Sequence, residues 1–388
     1  MRAAVALAVV VLLAGCGGGG HSAARTPTPG ASGRATPQPP SDEEQIADVL
    51  RDRGDALERG DRRAYLATST RAMRRRDGVA IERAKRLHLR NVVLDPGMIS
   101  VKGRHAVTKV DERYGMARIS GRFGTTRQVR LVRVGSRWRV AAVKGTRGLP
   151  PWDVADFREH RTPHFVVLGL GPMQINSLLA ALESGYAAMR TRLEQPLRPR
   201  YLVIAAANPE QARALTSQIH GLSSLAAISD ATISERGAAE AVSKVVSLRL
   251  LVVYSAYAGL TAEGRRRTIA HELTHAALAG ATSGRTPAWL VEGVAMYVSG
   301  DRRPAPANAD LAPLSQPGAI AKLSGTAQAR AYAASSAAAF AIVDRWGDKK
   351  LLKLYDSFND GSLRGTPGPQ LVNRARKREL GTSLNQLP

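Results

Sequence analysis

Residues 265–280 read RRRTIAHELTHAALAG and place two histidines four positions apart, with a glutamate directly after the first. A helix turns by about 100° per residue, so His271 and His275 lie about 40° apart on one face and can point ring nitrogens at one ion. Glu272 lies about 100° from His271, where it can reach a water molecule beside that ion without being a ligand. The alternative is ordinary helix surface, but the spacing favours a metal site with an adjacent general base.

A second motif, TPAWLVEGVAMY at residues 286–297, supplies a third ligand. Thr286 suits a helix N-cap and Pro287 suits the first helical position, so we expect a second helix that carries Glu292. Glu292 is either a surface residue or, because its neighbours are apolar, a buried carboxylate that needs a charged partner. Tetrahedral zinc with an open position takes three protein ligands, which predicts Glu292 and the two histidines as the ligand set.

Together the two motifs resemble those of the gluzincin metallopeptidases, in particular the bacterial peptidase MA-like family. The resemblance implies that His271, His275 and Glu292 bind one zinc ion per chain and that Glu272 is the catalytic base. It covers roughly residues 164–358 and implies hydrolysis of peptide bonds by a zinc-activated water. On this basis the chain is expected to be a zinc metallopeptidase that acts on a peptide or protein substrate.

Two further positions follow from the same resemblance. Tyr332 lies where the family shows a tyrosine, which makes it the candidate catalytic residue for stabilising negative charge on the carbonyl oxygen; a core ring is the alternative. Tyr297 is a weaker candidate, because it lies about 140° round the helix from Glu292. Thermolysin-like relatives carry an aspartate where this chain has Met296, so the residue that orients the first histidine is expected elsewhere, at Asp344.

Residues 160–388 are predicted to form the zincin-like domain, with a mixed sheet, the HExxH helix and a helical C-terminal part. Strands are expected at TPHFVVLGL, RYLVIAAA and SLRLLVVYSAY, with a helix after each of the first two. The third strand, residues 247–257, either lies along the active-site cleft and pairs with an extended peptide or is buried between other strands. His220, between the second and third strands, is expected to be a surface or structural histidine.

The first residues, MRAAVALAVVVLLAGC, combine one arginine, an apolar run of about 12 residues and a Leu-Ala-Gly-Cys ending. The ending resembles the bacterial lipobox, which implies a signal peptide at residues 1–15 and a lipid on Cys16. Residues 16–41 are rich in Gly, Pro, Ser and Thr and are predicted to form a flexible linker. The protein is therefore expected to be exported and lipid-anchored to the outer face of the bacterial cell membrane.

Residues 42–150 are predicted to form a small α+β domain. Ser41 and Glu44 make a capping box for a helix that ends at Gly60, Asp61 caps a second helix through residue 73, and strands follow from Leu89. Helices followed by a curved antiparallel sheet are similar to the NTF2-like domains of exported bacterial proteins. Such a domain either binds a ligand or serves as a spacer, and the spacer is the simpler hypothesis.

The formal charge of +24 favours anionic surfaces, and residues 42–150 contribute +13 of it. The basic runs lack interleaved aromatic residues and match no nucleic-acid module, so no specific nucleic-acid partner is expected. An anionic envelope surface remains a candidate partner beside the membrane. The rival hypothesis is therefore a non-catalytic envelope lipoprotein that binds an anionic or peptide partner. Glu272 favours the enzyme, because a purely structural zinc site has no use for an acid at that position. Such a site also normally has a fourth protein ligand.

A further alternative, an enzyme that cleaves a wall cross-link rather than protein, requires the same zinc chemistry. The sequence does not separate it from a peptidase.

Overall fold

A computed structural model describes residues 39–171, 173–217, 225–235, 243–359, 363 and 368–381. Its composition of 47% helix and 25% strand confirms the predicted mixture of helix and sheet, an α+β class. The signal peptide, Cys16, most of the linker and His220 lie outside the described residues. None of the described helices is long and apolar enough to cross a membrane.

Three helices open the described chain. They are α1 (Asp42–Arg59), α2 (Arg62–Ala67) and α3 (Arg74–Ala84), the last continued by a short 3₁₀ turn at Lys85–Leu87. The capping box on α1 and its end at Gly60, with φ of 65°, are confirmed. The prediction for α2 was wrong in length and missed α3. After Ala67 the backbone at Thr68 and Thr70 bonds to Val140 on the first sheet instead of continuing the helix.

The first sheet is a four-stranded antiparallel meander in the order β1-β2-β3-β4. Its strands are β1 (Leu89–Lys102), β2 (His105–Met116), β3 (Phe123–Val134) and β4 (Arg137–Lys144). The sequence RQVRLVRVGSRWRVAAVKG predicts a hairpin that turns at Gly135-Ser136. The structure confirms it, because Val134 pairs with Arg137 around Gly135, whose φ of 61° suits glycine. Ile46 and Leu50 of α1 pack against Trp138 of this sheet.

The second sheet has five strands in the order β5-β6-β7-β9-β8. They are β5 (Arg158–Arg161), β6 (Phe165–Gly169), β7 (Tyr201–Ala206), β8 (Ala227–Glu235) and β9 (Ser243–Val253). The central strands β6, β7 and β9 are parallel, and both outer strands are antiparallel to their neighbours. The sequence missed β5 and β8. The sequence left two alternatives for residues 247–257, and the structure shows the second. Strand β9 is buried between β7 and β8 and ends at Val253.

The remaining helices complete the fold. They are α4 (Pro151–Val154), α5 (Ile175–Arg192), α6 (Pro209–Leu215), α7 (Tyr254–Ala258), α8 (Ala262–Leu278), α9 (Ala288–Ser299), α10 (Gly325–Trp346), α11 (Asp348–Asp356) and α12 (Gly368–Leu380). Helices α5, α8, α9 and α10 belong to the core on one face of the second sheet. The helix predicted to open at Asn208 is confirmed, since the Asn208 side chain accepts a hydrogen bond from the Gln211 amide.

The second sheet is covered on both faces, which explains its uninterrupted apolar strands. On β6, Phe165 and Val167 join the core with α5 and α8, whereas Val166 and Leu168 join a core shared with residues 42–150, here called the N-terminal region. That shared core includes Tyr114 of the first sheet. The predicted boundary near Leu149 therefore separates two sheets, but the apolar core continues across it.

Candidate metal centre

Helix α8 carries both histidines on its buried half. Thr261 caps the helix by accepting a hydrogen bond from the Gly264 amide at 3.1 Å. At Gly185, α5 comes so close that an added Cβ would lie 3.0 Å from a side-chain carbon of Ile269. The two helices therefore pack closely here, and all residues of α8 from Thr268 to Ala276 are buried. His271 and His275 lie within this buried segment.

Helix α9 brings Glu292 to the histidines. The helix begins at Ala288 with Pro287 as its N-cap, so the prediction of Thr286 as the cap was wrong by one position. The Thr286 hydroxyl accepts the Ser283 amide instead, at 3.1 Å, and closes the preceding turn. At Gly293 a Cβ would lie 2.7 Å from the carbonyl oxygen of Ser335, so glycine allows α9 and α10 to touch there.

The three predicted ligands converge on one point. His271 Nε2 lies 3.0 Å from His275 Nε2 and 3.2 Å from Glu292 Oε2, and His275 Nε2 lies 3.5 Å from the same oxygen. Ligands about 2.0–2.2 Å from a tetrahedral ion are separated by about 3.3–3.6 Å, close to this triangle. The buried group of His271, His275 and Glu292 could therefore hold a metal ion.

The charges of the three groups are strongly coupled. Burial by itself would raise the pKa of Glu292, but the charges and hydrogen bonds of His275 and His271 hold that pKa at about 2. Burial would lower the pKa of both histidines. For His271 the hydrogen bond and charge of Glu292 outweigh burial and the pKa is raised, whereas the pKa of His275 is lowered. Glu292 therefore stays ionised, as a metal ligand must be.

Glu272 lies beside this triangle without belonging to it. The carboxylate is fully buried and its Oε2 accepts a hydrogen bond from the Ser229 amide at 2.8 Å. Its Oε1 accepts no hydrogen bond from the described part of the chain. Burial, the largest cause, raises the pKa of Glu272 to about 8, and a bound divalent cation would lower it. The geometry leaves one oxygen of Glu272 available for proton transfer.

The two tyrosines have different surroundings. Tyr332 on α10 is buried, and its ring lies edge-on to the His271 ring with 6.4 Å between centroids. The guanidinium of Arg303 lies 5.9 Å from the centre of the Tyr332 ring. Tyr297 packs against Phe340 instead, with 5.7 Å between ring centroids. The structure therefore brings Tyr332, and not Tyr297, against a predicted ligand.

The expected orienting residue was wrong. Asp344 forms an exposed ion pair with Arg302, so it does not hold either histidine. Sequence reasoning also missed two residues near the site. Ser229 lies on the unpredicted strand β8, and Asp301, just after α9, acts on His271 through its charge and pairs with Arg303 at 2.6 Å. A charged residue directly after a glycine-terminated helix was the only sequence signal for Asp301.

Comparison with known proteins adds no identification. The chain matches no protein-family model. A search of curated proteins finds no significant match either.

Proposed function

We propose that this chain is a membrane-anchored extracytoplasmic zinc metallopeptidase with a zincin-like fold. The observation that carries the proposal is the convergence of His271, His275 and Glu292 on one point, with the buried carboxylate of Glu272 adjacent and outside the ligand set. The motif resemblance to the bacterial peptidase MA-like family supports the same assignment. Export and a lipid on Cys16 would place the site outside the cell membrane.

The donor set fits zinc. Two imidazole nitrogens and one carboxylate oxygen, with no fourth protein ligand converging on the triangle in the described residues, are typical of catalytic zinc. Zinc at this position would supply Lewis acidity and make a water molecule easier to deprotonate. Glu272 would take the proton of the attacking water on its available oxygen, Oε1, while the Ser229 amide holds Oε2 in place. The resulting carboxylic acid would then protonate the leaving amine.

Tyr332 is the proposed donor for the developing oxyanion. Its ring lies edge-on to the His271 ring, with 6.4 Å between centroids, which supports a role for its hydroxyl beside the metal. A donor beside the metal stabilises negative charge that appears only in the transition state.

Strand β8 is the proposed surface for an extended peptide. Within the described residues it ends the order of the second sheet, and its residue Ser229 contacts Glu272. An outer strand can pair with a peptide backbone, whereas β9, the strand first considered from sequence, already pairs on both sides. The substrate class that fits is therefore a peptide in extended conformation.

The rival hypothesis has one observation in its favour. A cleft of about 400 Å³ between α3 and α4 is lined by Arg75, Arg76 and Arg83 around Trp152 and by one carboxylate, Asp153, so its arginines outnumber its acids. Three guanidinium groups in one cleft suit an anionic partner, as a binding protein in the envelope would have. Under either function, residues 42–150 are proposed to be NTF2-like, on the basis of three helices followed by a four-stranded antiparallel sheet.

The deciding experiment is the zinc content of the purified chain, measured with hydrolysis of a mixture of quenched fluorescent peptides. We expect about one zinc ion per chain, lost in His271→Ala and retained in the control His105→Ala, an exposed histidine of the first sheet. Glu272→Gln should keep the zinc and lose peptide hydrolysis by about 10²–10⁴-fold. A wild-type chain that binds no zinc even when the ion is supplied would contradict the proposal and favour the anion-binding lipoprotein.

A further inference from the structure

The hydrogen bond that holds Glu272 comes from strand β8 and not from the helices that carry the other site residues. The Ser229 amide donates to Glu272 Oε2 at 2.8 Å, and both residues are buried. A displacement of β8 would therefore move this donor relative to the base without moving the three predicted ligands. The position of Glu272 therefore depends on β8, whereas the positions of the three predicted ligands do not.

The residue after Ser229 on β8 takes part in an ion pair that is almost fully buried. Asp230, next to Ser229, faces Arg249 on β9, and the two residues are direct partners in the strand register. Arg249 Nη2 lies 3.0 Å from Asp230 Oδ2, and each side chain is only 11% exposed. A pair this buried has a desolvation penalty that favourable geometry must offset, so it restrains β8 to one position.

Arg249 connects that pair to the N-terminal region. Its guanidinium lies 5.9 Å from the centre of the Phe123 ring and is close enough to the buried Tyr114 to interact with it electrostatically. The same guanidinium donates to the Leu215 carbonyl oxygen at 2.5 Å. Arg249 on β9 therefore contacts both β8 and the first sheet.

A backbone contact reinforces this connection. The Arg122 amide, in the segment between β2 and β3, donates to the Val246 carbonyl oxygen of β9 at 3.2 Å. Next to it, Gly121 has a φ of 107°, and an added Cβ would lie 2.8 Å from the same oxygen. The close approach of the two sheets here requires glycine.

We infer that the N-terminal region positions the general base, through Arg249, Asp230 and strand β8, and that Arg249 is a positioning residue. The inference rests on the proposed function for its catalytic consequence, but the physical connection from Tyr114 and Phe123 to Glu272 does not. It differs from the spacer hypothesis, under which residues 42–150 would not affect the position of Glu272. A catalytic group displaced by about 1 Å can lose about 10²-fold in rate, so a modest movement of β8 is sufficient.

The test compares Arg249→Met with Arg249→Lys in the full chain. The methionine removes the charge and the hydrogen bonds, whereas the lysine can keep the ion pair with Asp230. We expect Arg249→Met to accelerate amide hydrogen exchange at Ser229 about tenfold while exchange in α8 and α9 is unchanged. With the peptide cleaved fastest in the mixture, kcat should fall about tenfold while the zinc content stays unchanged. Arg249→Lys should restore most of both losses.

A second variant approaches the same contact from the other sheet. Gly121→Ala should accelerate exchange at Ser229 because its Cβ would displace Val246. The matched control is Gly103→Ala, which also adds a Cβ at positive φ, 54°, but has no atom within 4 Å of it. Both variants strain a turn of the first sheet, and only Gly121→Ala strains its contact with β9.

The outcomes separate the two proposals. Unchanged exchange at Ser229 in both Arg249→Met and Gly121→Ala would overturn the inference, as would a uniform acceleration across both sheets, since Arg249 would then be merely structural. If wild-type protein cleaves no peptide but exchange at Ser229 still responds to these variants and not to Gly103→Ala, the proposed function fails and the positioning of Glu272 stands.

Discussion

The protein has two buried clusters of charged side chains that satisfy their charges in different ways. In the N-terminal charge cluster, Arg53 pairs with Asp77 at 2.8 Å, and Arg127 pairs with both Glu112 and Asp153. Arg76 also pairs with Asp153, at 3.8 Å, so three cations face three anions and the cluster needs no ligand to balance its charge. At the candidate metal centre, two imidazoles and a carboxylate turn acceptor atoms toward one point. A cation at that point would be contacted by all three atoms at once, which is what distinguishes a candidate binding site from a network that is already paired.

Breaking the N-terminal charge cluster should have the largest effect on stability. Arg127→Met would leave the carboxylates of Glu112 and Asp153 buried without their shared cation, and the two side chains are only 2% and 8% exposed. Removing one partner of a buried ion pair costs about 3–5 kcal/mol, so we expect a loss of that size in the free energy of unfolding. Urea denaturation of the wild type and the variant measures it.

The same sheet offers a matched control for this prediction. Arg113 also pairs with two aspartates, Asp95 and Asp111, but all three side chains are more than one third exposed. Arg113→Met should therefore cost less than about 1 kcal/mol. Adding Glu112→Gln to Arg127→Met should recover part of the loss, because one uncompensated buried charge is removed. Equal costs for Arg127→Met and Arg113→Met would mean that burial does not distinguish these networks.

Supplying a cation should stabilise the metal centre by a somewhat smaller amount. After chelation, adding free zinc at 100 times its dissociation constant should raise the free energy of unfolding by about 2.7 kcal/mol, because only the folded chain brings the three ligands together. Thermal denaturation with and without zinc measures the increment. It should vanish in His275→Ala and persist in Arg113→Met. If zinc does not change the free energy of unfolding of the wild-type chain, the two clusters do not differ in the way proposed, because neither then needs an added cation.

The grouping of His271, His275 and Glu292 was predictable from sequence because helix geometry determines most of it. The four-residue spacing fixes His271 and His275 on one face, and the apolar surroundings of Glu292 indicated that its carboxylate needed a partner. What surrounds the ligands was not predictable. Asp344 was the wrong orienting residue, and Ser229 belongs to a strand within residues 221–243, where the sequence carries only a weak secondary-structure signal. Contacts between segments that are far apart in sequence produce no regular residue spacing, so they cannot be predicted from a sequence pattern.

The packing of residues 42–150 against the second sheet did have a sequence signal, but the sequence analysis used only part of it. The strands FVVLG, YLVIAA and LRLLVV are apolar at nearly every position, a pattern that requires cover on both faces of the sheet. The helices after β5 supply much of one face. The other is covered largely by residues 42–150, which the sequence presented as a separable unit that ends at Pro150. Apolar runs show that a sheet face is covered but not which segment covers it.

The smallest effect should come from charges at the exposed start of the site helix. Glu263, in the first turn of α8, accepts hydrogen bonds from Arg266 at 2.6 Å and Arg267 at 2.6 Å. These bonds, led by those from Arg266, lower the pKa of Glu263 from its usual 4.5 to about 2. Water screens the group, since 49% of the glutamate side chain is exposed, so Glu263→Gln should cost less than about 1 kcal/mol at pH 7.

The pH dependence of this cost has a definite sign. Because the pKa of Glu263 is depressed in the folded chain, the ionised carboxylate stabilises the fold above about pH 4.5, and that contribution is lost as the pH falls toward about 2. The difference between wild type and Glu263→Gln in urea denaturation should therefore be nearly constant between pH 5 and pH 7, shrink below about pH 4.5 and vanish only once the pH lies below about 2. A cost at pH 7 as large as that of Arg127→Met would contradict the comparison, because exposed and buried charge pairs would then contribute equally.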